Sequence, residues 1–135
     1  MLSFKYIIIP ILASVLSQSV KVLIEFIKTK NISFIRFING MGGMPSTHSA
    51  LVSSLSTIIY IDYGMSAIFS VTFIFSLIII YDSMGIRYES GKHAEVLNII
   101  TESNLNEKIG HKPLEVFVGI LMGFLITCIF SLIIK

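Results

Sequence analysis

Two histidine-containing stretches carry the residue types from which a phosphate site is built. The first runs from Gly42 to Ala50 and places two glycines, Pro45, a Ser-Thr pair and His48 before an apolar segment. Proline favours the first turn of a helix, so the pattern predicts a helix that begins near Ser46 or Thr47. A helix start attracts anions, and an imidazole there can give them a hydrogen bond or a proton. The alternative is a capped helix start whose histidine has no chemical role.

The second stretch, residues 110–116, contains a histidine and a glutamate one helical turn apart. His111 and Glu115 share one face of a helix that Pro113 would begin. A carboxylate bonded to one ring nitrogen fixes the tautomer and leaves the other nitrogen free as a nucleophile or base. A solvated surface pair is the ordinary interpretation of this spacing. A second histidine at a second helix start favours a shared site instead.

The composition places both stretches in a small membrane protein. The chain has 135 residues, 54% of them hydrophobic, and a mean hydropathy of +0.87, which favours one integral membrane domain over residues 1–135. The single cysteine, Cys128, lies in an apolar run and excludes a disulfide framework and a cysteine-based metal site. The net charge is only +2, and no nucleic-acid partner is predicted.

Four apolar runs predict an all-α bundle of about four transmembrane helices, at residues 6–27, 46–61, 65–81 and 113–134. The second run is rich in Ser and Thr, which suit close packing, so it should be central. The third continues without a break into a charged helical stretch that ends near Asn98. Gly119 and Gly123 predict a packing face in the last helix. Residues 28–44 are interpreted as an interfacial loop or short surface helix, and residues 101–110 as a loop.

An up-and-down order of these helices brings the polar residues to one membrane face. Lys21 and Glu25 lie near the end of the first helix, where they either neutralise each other or form an inward-facing polar site. Asp82 and Arg87 follow the third helix, and both histidines lie at helix starts on the same side. Ionisable groups are costly in a membrane, so their convergence indicates a function.

These motifs resemble those of a known superfamily. Pro45-Ser46-Thr47-His48-Ser49 is similar to the Pro-Ser-Gly-His motif of the type 2 phosphatidic acid phosphatases and vanadium-dependent haloperoxidases, and the stretch from His111 to Gly119 resembles their third motif. The whole chain resembles more closely the small divergent branch of that superfamily found in bacteria and plants. The further matching positions are Lys21, Gly42, Gly43, Met44, Tyr81, Asp82, Gly85, Arg87, Gly91, Lys92, Leu97, Asn98 and Gly110.

The resemblance implies hydrolysis of a phosphomonoester or a pyrophosphate through a phosphohistidine, with no metal or other cofactor. His111 would be the nucleophile, Glu115 its orienting carboxylate, and His48 the acid that protonates the leaving alcohol. The phosphate would be bound by the glycine-rich stretch and by basic residues, with Asp82 in support. These phosphate-binding positions are Lys21, Gly42, Gly43, Ser46, Thr47, Arg87 and Lys92.

The chain also departs from the usual pattern of the superfamily. Lys21 stands alone where Lys-x6-Arg-Pro is usual, and Arg36 is not followed by proline. Gly110 replaces the Ser-Arg that usually precedes the nucleophile, Glu115 replaces an aspartate, and the usual core has six helices. A Mg²⁺-assisted variant that uses Asp82, Glu89 and Glu115 therefore stays open.

The favoured function is a membrane phosphatase for a lipid phosphate, such as phosphatidylglycerophosphate or a polyprenyl phosphate. A site between helices at the bilayer surface suits a substrate with its tails in lipid and its head in water. One alternative is a non-catalytic binder or transporter of anionic lipids, and another is a structural bundle whose polar end binds a partner. A homo-oligomer also stays open.

The distribution of basic residues predicts the orientation in the cell membrane. The end that carries the site has more lysines and arginines than the opposite end, so the positive-inside rule places the site in the cytoplasm. The site end has Lys28, Lys30, Arg36, Arg87, Lys92, Lys108 and Lys112, and the opposite end has Lys5 and Lys135.

Overall fold

The computed structural model describes residues 4–30, 42–107 and 110–133, and these residues form five α-helices with no strands. The helices are α1 (Lys5–Thr29), α2 (Thr47–Tyr63), α3 (Ala67–Met84), α4 (Ile86–Thr101) and α5 (Pro113–Ile133). The predicted all-α class is confirmed. Most of the predicted surface segment 28–44 lies outside the described residues, as do Arg36, Lys108 and Lys135.

Within the described residues, three helical segments are long and apolar enough to cross a membrane. They are α1, the segment Ala67–Thr101 that contains α3 and α4, and α5. α2 has 17 residues, and at 1.5 Å per residue it is about 25 Å long, slightly less than the hydrocarbon core of about 30 Å. Of the about four predicted crossing helices, three are therefore long and apolar enough to cross a membrane. The fourth, α2, is shorter.

α2 is the centre of the bundle, as its small residues predicted. It packs against α1, α3 and α5. A Cβ atom added to Gly119 would overlap the carbonyl oxygen of Ser46, and one added to Gly123 would overlap that of Ala50. The two glycines thus form the packing face predicted for α5. In a bilayer the hydrophobic effect does not bring helices together, so the van der Waals contacts made at such close approach stabilise their packing.

Hydroxyl groups join α2 to its neighbours inside the bundle. The hydroxyls of Ser54 and Thr127 are 2.6 Å apart and link α2 to α5. Those of Ser56 and Ser76 are 2.8 Å apart and link α2 to α3. Within each pair one hydroxyl donates to the other, and Thr127 and Ser76 donate to the Gly123 and Thr72 carbonyls at 2.8 Å, so no donor is left unpaired.

The start of α1 meets the end of α2 at the bundle end away from the histidines. Lys5 Nζ lies 2.6 Å from Asp62 Oδ2, and the Tyr6 hydroxyl donates a 2.6 Å hydrogen bond to the same oxygen. α2 continues through Asp62 to Tyr63, beyond the predicted end at Ile61, and stops at Gly64. This antiparallel pairing fixes the other end of α1, which carries Lys21, beside the start of α2.

A helix break separates α3 from α4, where the sequence predicted a continuous run. Gly85 has φ −97° and ψ −92°, outside the helical range, and its N–H donates to the Tyr81 carbonyl at 2.9 Å. The backbone leaves the helical conformation at this residue. α4 therefore extends from the site end of the bundle and carries Lys92 beside the end of α1.

Candidate phosphate site

The start of α2 is a capped helix terminus, as predicted. Ser46 is the N-cap, and its Oγ accepts a 3.4 Å hydrogen bond from the Ser49 N–H and a 2.9 Å bond from the Ser49 hydroxyl. The Thr47 hydroxyl donates to Gln18 Oε1 at 2.8 Å. Ser46 is fully buried. Both hydroxyls expected to bind phosphate are thus engaged within the bundle, and either would have to exchange a partner to reach a ligand.

His111 and Glu115 form the pair that their spacing predicted. His111 Nδ1 lies 3.2 Å from Glu115 Oε2, and the same oxygen accepts a 3.1 Å hydrogen bond from the Lys112 N–H. His111 is only 4% exposed. With its proton on Nδ1, facing the carboxylate, the ring keeps a lone pair on Nε2.

Backbone hydrogen bonds hold this pair against the neighbouring helices. The His111 N–H donates to the Ser83 carbonyl at 3.0 Å, and the Ser46 N–H donates to the Glu115 carbonyl at 3.0 Å. A Cβ atom on Gly110 would overlap the backbone of Tyr88. Glycine is therefore the residue that fits before His111, where the usual superfamily motif has Ser-Arg. These contacts fix the pair relative to α2, α3 and α4.

His48 lies in the first turn of α2, with an exposed side chain. It interacts electrostatically with Arg87, His111, Lys21 and Asp82. Arg87 Nε lies 2.6 Å from Asp82 Oδ2. The structure thus brings both histidines and the two predicted cations to one end of the bundle, and places Asp82 where it holds Arg87.

Lys21 is buried in the wall between α1 and the glycine-rich stretch. It is 8% exposed, it interacts electrostatically with Glu115, and its Cγ and Cδ atoms would lie 3.8 Å from a Cβ atom on Gly43. Gly42 and Gly43 have φ of 72° and 83°, values that glycine adopts without strain. The two glycines thus let the chain turn tightly over the lysine.

A cavity of about 670 Å³ lies between the end of α1, α4 and the start of α5. Among the predicted site residues, Lys21, Gly42, Gly43, Lys92 and Glu115 line it, whereas His48, Arg87 and His111 do not. The cavity therefore collects the candidate residues near Lys21 and Glu115, and the two histidines and Arg87 lie outside its lining. The cavity also has charged or aromatic side chains from Glu25, Lys28, Tyr88, Glu95, Glu107 and Lys112.

Several contacts of α4 and α1 were missed by sequence reasoning. Lys92 Nζ lies 2.7 Å from Glu89 Oε1 and 4.8 Å from the centre of the Tyr88 ring. Gln18 lies three residues before Lys21 on the same face of α1 and bonds to Thr47. The three-residue spacing of Gln18 and Lys21 could have predicted that both side chains lie on the same face of α1. Nothing in the local sequence indicates that Tyr88 packs against Gly110.

Burial is the main influence on the protonation of His111. It lowers the pKa of the ring below its usual value of 6.5, and the positive charge of Lys21 lowers it further, while the hydrogen bonds to Glu115 and to the Gly43 backbone oppose the shift. The ring is therefore neutral at neutral pH, the form that a nucleophile requires.

The described residues contain no group of three or more His, Cys, Asp or Glu side chains arranged to hold a metal ion. Asp82 instead pairs with Arg87, Glu89 with Lys92, and Glu115 with His111. The Mg²⁺ alternative gains no support from this arrangement, and the absence of a cofactor stays a prediction.

The fold and site define an integral membrane helix bundle with two histidines, a carboxylate and cations at one end. The sequence profile described as the "Divergent PAP2 family" matches residues 2–126, and the chain belongs to this family. The chain is also 33% identical over 141 aligned residues to the "Uncharacterized membrane protein YuiD" of Bacillus subtilis (strain 168), an alignment that covers 88% of this chain and 89% of that protein. No solved structure matches the chain.

Proposed function

We propose that the protein is a membrane phosphatase that hydrolyses the phosphomonoester of a lipid. The observation that carries this proposal is the buried His111–Glu115 pair, held by backbone bonds to α2 and α3 near a second histidine. Glu115 orients the ring through Nδ1, so Nε2 is the atom that attacks phosphorus.

The reaction follows in two steps from these positions. His111 Nε2 forms a bond to phosphorus while the bond from phosphorus to the lipid oxygen breaks, and His48 gives its proton to that oxygen. Water then attacks the phosphohistidine, His48 takes a proton from the water, and the N–P bond breaks to release phosphate. Lys21 and Arg87 stabilise the charge on the phosphoryl oxygens.

The position of the site supports a lipid substrate. His111 lies just before α5, and Glu115 lies in its first turn. The pair is therefore at one end of a helix that is long and apolar enough to span a membrane. A phosphate at that end lies at headgroup level, while chains attached to it extend beside the helices. The large charged cavity gives room for a headgroup beside Glu115.

Release of inorganic phosphate from purified protein tests the proposal. The substrates are phosphatidylglycerophosphate, phosphatidic acid and a polyprenyl phosphate in mixed micelles. We expect at least one to be hydrolysed, and His111→Ala to lower turnover by at least about 10³-fold. His93→Ala is the matched control, because His93 is exposed on α4 and lies outside the site.

Hydrolysis that His111→Ala leaves unchanged would exclude the proposed nucleophile. Binding of these lipids without phosphate release would instead support the alternative, a non-catalytic binder of anionic lipids. Both results require that the variant keep the thermal stability of the wild type.

A further inference from the structure

A second cavity lies within the membrane-spanning part of the bundle, between α3 and α5 over α2. It has a volume of about 340 Å³. Its walls include the aromatic side chains of Tyr60, Phe69, Phe73 and Phe124 together with Leu77 and Ile80. We refer to it as the α3–α5 groove. Nothing in the proposed catalytic steps uses it.

The serine and threonine hydroxyls that line the groove are already hydrogen-bonded within the protein. Ser53 donates to the Ile120 carbonyl at 2.9 Å, and Thr57 donates to the Ser53 carbonyl at 2.7 Å. Ser56 and Ser76 bond to each other at 2.8 Å. A polar ligand would find no unsatisfied partner among them and would lose its own hydration. The surface therefore suits a hydrocarbon.

The groove follows α3 over a length that suits a hydrocarbon chain. Phe69 and Ile80 both line it, and the rise of 1.5 Å per residue places them about 16 Å apart along α3. An extended hydrocarbon chain laid along that length makes van der Waals contacts at about 4 Å with the apolar side chains that line it.

The end of the groove at Ile80 lies one helical turn from Ser83, whose carbonyl binds the proposed nucleophile His111. The Ile80 carbonyl accepts a 2.7 Å hydrogen bond from the Ser83 hydroxyl, and the Ser83 carbonyl accepts the His111 N–H at 3.0 Å. A chain that fills the groove thus emerges at the end of α3 where His111 is held.

We infer that the α3–α5 groove binds a hydrocarbon chain of the lipid phosphate substrate while its phosphate lies at His111. This inference rests on the proposed function for the identity of the lipid. It adds a chain-binding subsite that selects substrates by their apolar part. Bulk bilayer lipid is the competing occupant, and it would fill the groove without regard to headgroup.

Photocrosslinking in lipid nanodiscs tests the inference without requiring turnover. One probe is a phosphatidic acid with a diazirine in its acyl chain, and the other is a phosphatidylcholine with the same chain. We expect the phosphatidic acid probe to label Phe73, Leu77 or Phe124 at least about fivefold more than the phosphatidylcholine probe, and unlabelled phosphatidic acid to compete. Equal labelling by both probes, without competition, would overturn the inference.

Two tryptophan substitutions separate the groove from the outer surface of α3. Leu77→Trp fills the groove and should lower labelling by the phosphatidic acid probe at least about fivefold. Ile78→Trp changes the neighbouring residue, which is 61% exposed and does not line the groove, and should leave labelling unchanged. An equal effect of both substitutions would also overturn the inference. If groove labelling is selective but no phosphate is released, the subsite stands and the proposed hydrolysis fails.

Discussion

Replacing Gly123 with alanine should loosen the contact between α2 and α5. The added Cβ atom would overlap the Ala50 carbonyl oxygen and lie 2.9 and 3.0 Å from the Ala50 C and Cα atoms. All three are backbone atoms of α2, so no side-chain rotation can relieve the overlap. The two helices must move apart, and the nearby hydroxyl pair of Ser54 and Thr127 lengthens with them.

The expected loss of stability is modest but measurable. Overpacking of this kind costs about 1–3 kcal/mol, and the better helix propensity of alanine offsets about 1 kcal/mol. A net loss of about 1 kcal/mol lowers the Tm of a chain of this length by about 3–6 °C. Cys128, the only cysteine of the chain, lies on α5 and is half-buried. A thiol-reactive dye therefore reports unfolding directly.

A lipid-facing residue of α5 provides the control. Ile129 is 56% exposed, so Ile129→Ala should shift the Tm by less than the Gly123 substitution does. An unchanged or higher Tm for Gly123→Ala would show that α2 and α5 do not pack through this glycine.

Three further predictions concern the site. The pH profile of kcat/KM should fall on its acid side with an apparent pKa below 6.5. Burial lowers the pKa of His111, and the neutral ring is the active form. An apparent pKa above 6.5 would contradict this. Glu115→Gln should lower kcat by about 10²- to 10⁴-fold with little change in lipid binding, and an unchanged kcat refutes the orienting role. In Cys128→Ser cells, a cysteine at Tyr63 should react with an impermeant reagent and one at Asn104 should not, and the reverse pattern would place the site outside.

Local spacing was sufficient to predict the parts of the site that lie on one helix. His111 and Glu115 are one turn apart, so any regular helix start brings them together. Gly119 and Gly123 share a face for the same reason, and only small residues permit the observed approach of α5 to α2. These features depend on the periodicity of a single element.

Features that depend on how helices rotate against each other were not predictable. The Lys5–Asp62 ion pair joins residues far apart in the sequence, on two helices whose relative position no local pattern encodes. The break at Gly85 was missed because the apolar run and the charged stretch after it were interpreted as one continuous helix. Which cations line the cavity, Lys21 but not Arg87, depends on tertiary packing, which no local pattern encodes.

Trapping of a phosphorylated protein tests the proposed mechanism most directly. Purified protein is mixed with a lipid phosphate that it hydrolyses, quenched in alkali within the first turnover, and analysed by mass spectrometry. The mechanism predicts one acid-labile phosphoryl group on His111, absent from His111→Ala. Rapid phosphate release with no phosphohistidine at His111, under conditions that preserve a phosphohistidine standard, would contradict it.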